Sequence, residues 1–223
     1  LTGATSLGTG ILSPVTENSN TGVRLSTALA ANHGDIGSNA VDLSYSPSAS
    51  TTRGATGNSS TAIGVFTTAS GDYSTAMGYS TEAGYGSTAM GRNTRATGNS
   101  STAMGDGTTA SGFFSTAMGY STEASKSFST AMGQSTTASG ISSTAMGAST
   151  TASDYGSLVI GQYNSSGSSA TSANSFSTAN TAFVIGNGVD VGDISDAFSI
   201  LFDGTTNIAG SVTATSFVGD GSG

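Results

Sequence analysis

Residues 74–78 read S-T-A-M-G, and related pentapeptides recur along the middle of the chain. The first copy is S-T-A-I-G at residues 60–64 and the last is S-L-V-I-G at residues 157–161. The copies end on glycines that lie fourteen residues apart, with a single step of thirteen: Gly64, Gly78, Gly91, Gly105, Gly119, Gly133, Gly147 and Gly161. A fixed period kept over eight copies predicts a solenoid in which each copy is one coil stacked on the next.

Two further columns of residues keep this period. The residue before the glycine is apolar and includes all six methionines: Ile63, Met77, Met90, Met104, Met118, Met132 and Met146. An alanine column runs through Ala55, Ala69, Ala83, Ala96, Ala110, Ala124, Ala138 and Ala152. Fourteen residues rich in Ser, Thr and Gly accommodate two strands of about five residues and two tight turns better than a helix. The sequence therefore predicts an all-β solenoid of parallel 14-residue coils, with the glycines at positions of positive φ or close backbone approach.

The alternation of side chains along a strand predicts which faces point inward. A column of Thr68, Glu82, Arg95, Thr109, Glu123, Thr137 and Thr151 contains charges that must reach water, so the neighbouring alanines are expected inside. We expect Met77 and Thr75 to fill the core opposite them. The face formed by Ser74, Ala76 and Gly78 is then predicted to point outward and, being free of charge, to be the surface through which chains associate. One buried Met per coil is too little for a stable single roll, which predicts an obligate oligomer.

The composition excludes several classes of protein. Ser, Thr and Gly make up 110 of 223 residues, there is no Cys, and His33 is the one histidine. Zinc sites of Cys and His, thiol nucleophiles and disulfides are therefore excluded, and we expect neither a cofactor nor catalytic residues. The net charge of −8 argues against nucleic-acid binding. No apolar run is long enough for a transmembrane helix.

Aromatic residues at the turns are the candidate receptor-binding residues. Tyr73, Phe114 and Phe128 precede the motif, and Tyr79 and Tyr120 follow its glycine. Phe114 and Phe128 belong to adjacent coils and should stack. Two interpretations stay open, namely a structural aromatic ladder that protects the turns and a platform for a glycan or another receptor.

Three other features suggest weaker hypotheses. Asp190, Asp193 and Asp196 could supply oxygen ligands to calcium, although solvated turn acids are the simpler interpretation. His33, beside Gly34, is expected to lie in a polar turn. A threonine column, Thr61, Thr75, Thr88, Thr102, Thr116, Thr130 and Thr144, suggests ice binding, but it shares the methionine side and is expected to point inward.

The pentapeptide also resembles the S-V-A-I-G repeat of the YadA-like head of trimeric autotransporter adhesins. The resemblance covers residues 50–161, about half of the chain, and Met in place of Ile or Val is its main departure. It implies a left-handed parallel β-roll, an intertwined or tightly packed homotrimer, and an adhesive role at a cell surface.

The flanking regions complete the predicted organisation. Residues 1–49 are predicted to be a cap or adaptor, 50–161 the β-roll head, 162–181 a Ser/Asn-rich insertion and 182–223 a β-rich neck or shaft. A-F-V-I-G at 182–186 resumes a repeat-like strand, and the segments 197–204 and 210–223 resemble shaft segments of phage tail fibres.

We therefore expect a non-enzymatic, extracellular fibre protein whose head binds a surface receptor, glycan or matrix ligand. The alternative is a receptor-binding tail fibre of a phage or a contractile injection apparatus, and an ice-binding solenoid is a minor alternative.

Overall fold

The computed structural model describes residues 11–165 and 173–213. Parts of three predicted regions, residues 1–10, 166–172 and 214–223, lie outside the described residues. The chain begins with β1 (Leu12–Glu17), β2 (Asn20–Leu25), a 3-10 turn (Ala30–Asn32) and β3 (Val41–Tyr45). The repeats then alternate a two-residue strand with a five-residue strand.

The short strands are β4 (Gly54–Ala55), β6 (Thr68–Ala69), β8 (Glu82–Ala83), β10 (Arg95–Ala96), β12 (Thr109–Ala110), β14 (Glu123–Ala124), β16 (Thr137–Ala138) and β18 (Thr151–Ala152). The long strands are β5 (Thr61–Val65), β7 (Thr75–Tyr79), β9 (Thr88–Arg92), β11 (Thr102–Asp106), β13 (Thr116–Tyr120), β15 (Thr130–Gln134), β17 (Thr144–Ala148) and β19 (Leu158–Gln162). The described chain ends with β20 (Thr181–Asn187), β21 (Asp196–Leu201) and β22 (Thr206–Ile208).

The strands of successive coils lie side by side in two sheets. Within the described residues, the short strands form an eight-stranded sheet and the other strands form a 14-stranded sheet. Equivalent residues pair in register, so that Met104 lies between Met90 and Met118 on parallel neighbours. The predicted parallel solenoid of 14-residue coils is confirmed. The second strand of each coil is shorter than the predicted five residues, because tight turns occupy the remaining positions.

The solenoid has about ten coils, two more than the motif copies suggested. In β3, Leu43 pairs with Ile63 and Ser44 pairs with Gly64, so this strand forms an earlier coil without the motif's glycine. In β20, Ile185 and Gly186 pair with their equivalents in β19, as expected for a strand that resumes the repeat. Antiparallel hairpins, β1–β2 and β20–β22, end the long sheet on its two sides.

The predicted facing of the long strands is wrong. The motif's alanines are completely buried, from Ala62 to Ala145, and they pack with the alanines of the short strands in one core. Ser74 and its equivalents are buried as well, whereas Met77 and Thr75 are half-buried on the outer surface. The reason is the thinness of the coil: two alanine columns already fill the space between the sheets, and a methionine does not fit there. Of the Ser-Ala-Gly face that was predicted as the association surface, the serine and alanine positions are therefore interior, whereas Gly78 is exposed at the strand end.

The predicted roles of the motif's glycines are confirmed. Gly105 has φ of +123°, and a Cβ built on it would lie 2.0 Å from the carbonyl oxygen of Gly119. The outward column of the short strands, which includes Glu82 and Glu123, is also confirmed.

Seven threonines form a buried column that the sequence analysis did not identify. They follow the long strands at the turn: Thr67, Thr81, Thr94, Thr108, Thr122, Thr136 and Thr150. Their Oγ1 atoms are enclosed and have no hydrogen-bond partner among the described residues.

Candidate functional site

An edge of the roll is covered by exposed aromatic rings. We call it the aromatic edge and define it by Tyr73, Tyr85, Phe113, Phe114 and Phe128, which lie in the turns that lead from short to long strands. Each of these residues is 52–65% exposed. Because the rings belong to coils stacked at about 4.8 Å, they form an extended surface instead of a pocket, interrupted at the coil of Asn99 and Ser100.

The rings of the aromatic edge contact one another in two pairs. Phe114 and Phe128 are stacked with centroids 5.5 Å apart and an interplanar angle of 6°, which confirms the predicted stack. Tyr73 and Tyr85 meet edge to face, with centroids 6.1 Å apart. Such pairs hold rings in fixed orientations and each contributes about 0.5–1.5 kcal/mol.

The backbone places three of these rings at strained positions. Tyr73, Phe114 and Phe128 have φ between 54° and 61°, a left-handed conformation that bulky residues rarely adopt. Serines occupy the equivalent position in other coils, for example Ser59 and Ser100. The fold therefore imposes the left-handed conformation at this turn but does not require an aromatic residue there.

The five predicted receptor-binding residues do not form one surface. Tyr79 and Tyr120 lie across the roll from the aromatic edge, at the ends of long strands. The rings of Tyr79 and Phe66 meet edge to face, with their centroids 5.7 Å apart. Tyr85 and Phe113, which the sequence analysis missed, belong to the aromatic edge. The available signal was their position immediately before the left-handed residue of the turn.

A row of paired residues separates Tyr79 from Tyr120. Arg92 and Asp106 occupy the two intervening coils in the same register. The Nε atom of Arg92 donates to Oδ2 of Asp106 at 3.0 Å. The two tyrosines are therefore far apart and do not contact.

The predicted calcium ligands do not come together. Asp190 accepts hydrogen bonds from the backbone N–H groups of Gly192 (2.7 Å) and Asp193 (3.1 Å) within one turn. Asp196 lies in β21 and accepts a hydrogen bond from the backbone N–H of Ser165, and burial raises its pKa. In the part of the chain that the structure describes, no group of three or more acidic, His or Cys side chains is arranged to hold a metal ion.

His33 lies in a bend directly after the 3-10 turn, as the predicted polar turn requires, but it is buried there in an ionic network that the sequence did not predict. Its Nδ1 atom lies 3.0 Å from Oδ2 of Asp42, and Nε of Arg24 donates to the same oxygen at 3.2 Å. Arg24 also pairs with Glu17 at 2.9 Å. These residues lie on different strands and turns, and their separation in the sequence hid the network.

The network includes Ser44, whose hydroxyl donates to Oδ1 of Asp42 at 2.6 Å. Ser44 lies 3.4 Å from the same nitrogen of His33 that faces Asp42. A catalytic relay needs the two ring nitrogens to serve separate partners, so this arrangement is that of a structural clamp.

The clamp also sets the protonation of its acids. Burial raises the pKa of Asp42, but hydrogen bonds from His33 and Ser44 outweigh burial and lower it. Burial likewise opposes the hydrogen bonds that Glu17 accepts from Arg24 and from the backbone of Ile36, and the result is again a lowered pKa. Both carboxylates are therefore held in their ionised form.

Comparison with known proteins identifies the repeats. The family model described as YadA head domain repeat (2 copies) matches residues 55–81, 83–108, 110–136 and 138–164. No curated protein matches the chain significantly. Among the described residues, no helix has the length and apolar character needed to cross a membrane. Residues 55–164 of this chain therefore consist of YadA head domain repeats.

Proposed function

We propose that the chain forms a homotrimer through the outer face of its long sheet. We call this the Thr–Met face and define it by the two outward columns of the long strands. Its central apolar stripe runs through Leu43, Ile63, Met77, Met90, Met104, Met118, Met132, Met146, Ile160 and Ile185. These side chains remain partly exposed on the single chain, with Met104 at 37%.

The exposure of this apolar stripe on the single chain is the observation that supports assembly. The coil's own core contains mainly alanine, serine and threonine, so one chain buries little apolar volume. Covering ten apolar side chains would add the missing stabilisation, and identical columns in register suit a second and third copy of the same chain. The YadA head family, whose adhesins are trimeric, sets the expected number of copies.

Analytical ultracentrifugation of the chain tests the assembly. We expect a trimer mass for the unmodified chain and a monomer mass for the double variant Met104→Glu/Met118→Glu. Thr109→Glu is the matched control, because its column already contains Glu82 and Glu123, and it should remain trimeric. A folded, monomeric unmodified chain would contradict the proposal.

We further propose that the assembly is a non-enzymatic, surface-exposed adhesin and that the aromatic edge contacts its receptor. The support is the exposure of five aromatic rings on one edge, three of them at the left-handed turn position where other coils carry serine or glycine. Aromatic faces beside hydroxyl groups suit the apolar face and hydroxyls of a sugar, and the same residue types suit protein matrices.

Adhesion of cells and matrix to the immobilised trimer tests the aromatic edge. The variant Phe114→Ser/Phe128→Ser takes the residue that occupies the same turn in other coils, so folding is retained. We expect about a tenfold loss of binding, which corresponds to about 1.4 kcal/mol. Tyr120→Ser, across the roll, is the control, and equal binding by all three proteins would reject the edge as the contact surface.

The site of action is tested by immunogold labelling. Labelling of cell surfaces supports the adhesin, whereas labelling of virion tails would support the alternative of a phage tail fibre.

A further inference from the structure

A charged groove lies away from the aromatic edge, at the turns that follow the long strands. It has a volume of about 360 Å³ and is lined by Arg53, Phe66, Thr68, Ser80, Glu82 and Arg95, together with Thr81. The chain has five basic residues and a net charge of −8, so two arginines in one groove mark an unusual concentration of positive charge. The groove does not include residues of the Thr–Met face.

Arg53 is held in place over an aromatic ring. Its guanidinium carbon lies 4.5 Å from the centroid of Phe66, and Nη1 donates to the hydroxyls of Ser46 (2.9 Å) and Ser48 (3.0 Å). These contacts orient the guanidinium without a carboxylate partner among the described residues. The positive charge of Arg53 therefore remains available to a ligand.

Phe66 occupies a position at which a large residue is strained. Its φ is 56°, and the equivalent turn positions of the following coils carry Ser80, Asn93 and Gly107. The fold therefore does not require a phenylalanine here. Its contact with Arg53 gives it a role, namely to position the cation at the wall of the groove.

Arg95 presents the second guanidinium. Its Nε atom donates to Oε2 of Glu82 at 2.9 Å, and this is the one hydrogen bond recorded for its side chain within the described residues. The side chains are 59% and 42% exposed, so both groups can reach a ligand. The groove thus combines free guanidinium donors, a carboxylate acceptor and the hydroxyls of Thr68 and Ser80.

We propose that this groove binds a sugar that carries one carboxylate. The two guanidiniums suit a carboxylate, because their N–H groups match its two oxygens. Glu82 and the hydroxyls suit the hydroxyl groups of the sugar ring, and Glu82 disfavours polyanions such as sulfated polymers. An acidic peptide would bring further carboxylates against Glu82, which repels them. The volume is within the range of small-molecule sites.

The proposal rests on a surface-binding function but not on the aromatic edge. Titration calorimetry of the full chain is the test, with sialyllactose and a glucuronic acid-terminated disaccharide as probes. Lactose, a hexaglutamate peptide and heparin are the comparison ligands, each titrated separately. We expect at least one carboxylated sugar to bind, and lactose, hexaglutamate and heparin to bind about tenfold more weakly or not at all.

Variants locate the site. Arg53→Gln and Arg95→Gln should each weaken binding about tenfold, whereas Lys126→Gln, which removes the same charge near the aromatic edge, should leave binding unchanged. Circular dichroism melting curves verify that each variant is folded. Absence of binding by both sugars, equal effects of all three variants, or stronger binding of hexaglutamate or heparin would overturn the proposal. If the sugars fail to bind but the trimer still adheres through the aromatic edge, the groove alone is misassigned.

Discussion

The first coil and the middle coils fill the same inward row of the long sheet with opposite chemistry. Arg24 pairs with Asp42 across β2 and β3, and Asp42 pairs in turn with Ala62. From Ala62 to Ala145 every residue of this row is alanine, and the row continues to Val159. Charge is therefore buried at the N-terminal end of the row and excluded from its middle.

The difference shows what the thin interior can accept. In the middle, each alanine has a copy above and below it at about 4.8 Å, so a charged residue would find neither room nor a partner. At the N-terminal end, β2 belongs to a hairpin and supplies Arg24, and His33 directly follows the 3-10 turn. The end of the roll can thus hold an ionic network because it is the place where the repeat stops.

Ala103→Asp should cause the largest loss of stability, because it places a carboxylate like that of Asp42 in the middle of the alanine row. An isolated carboxylate between Ala89 and Ala117 has no cationic partner. We expect a loss of about 5 kcal/mol in the free energy of unfolding, measured by urea denaturation. Ala103→Ser, which resembles the buried polar residues nearby, should be much milder, and equal losses would show that charge is not the deciding factor.

Asp42→Asn tests the first coil from the other side. It removes the carboxylate that His33 and Arg24 share and leaves Glu17 as the remaining carboxylate partner of Arg24. We expect a loss of about 3–5 kcal/mol with faster hydrogen exchange in β2 and β3. Asp106→Asn removes the exposed partner of Arg92 and should cost about 0–1 kcal/mol. A small effect of Asp42→Asn would mean that the network does not stabilise this end.

Gly105→Ala tests how much the close approach of neighbouring coils contributes to stability. A Cβ at this position would meet the carbonyl of Gly119 at 2.0 Å, with φ of +123°. We expect a loss of about 3 kcal/mol from strain and displacement. Gly107→Ala is the control in the same coil, because its nearest contact would be 3.5 Å away at φ of +65°, and about 1 kcal/mol is expected.

Thr108→Val examines the buried threonine column of the middle coils. The Oγ1 atom has no partner among the described residues, so its removal should raise the free energy of unfolding by about 1 kcal/mol. Thr102→Val, on the half-buried outer face, should change it little. Loss of stability in Thr108→Val would indicate that the hydroxyl column is hydrogen-bonded.

Lowering the pH should change the local stability of the two ends of the long sheet in opposite directions, and by less than the substitutions above. The lowered pKa of Asp42 means that its contribution to stability is complete above the ordinary value of 3.8 and is lost as the pH falls through the folded-state pKa below it. The raised pKa of Asp196 has the opposite sign, because its ionisation opposes folding above 3.8 and protonation relieves that cost. Residue-resolved NMR melting between about pH 5 and pH 2 should show β3 weakening first, and parallel behaviour of β3 and β21 would contradict the assignment.

Much of the repeat could be predicted because its period is a fixed spacing of residues in the sequence. The columns of glycine, methionine and alanine, the stack of Phe114 on Phe128 and the pairing of Glu82 with Arg95 all follow from residues that are one period apart. The aromatic edge was found in part, since Tyr85 and Phe113 occupy a neighbouring position of the turn. The groove was missed, because Arg53 and Phe66 come from turns without a common motif.

The sequence by itself determined the parallel stacking, its register and the position of every coil in the motif region, because pairing of like with like follows from a period of fourteen. Only the tertiary structure decided which side of the long strand is the interior. Alternation separates Ser-Ala-Gly from Thr-Met, but both sets are free of charge, so either could face inward. The core between the two sheets settles the choice: the two alanine columns fill it, and the methionines are left on the surface where another chain can cover them.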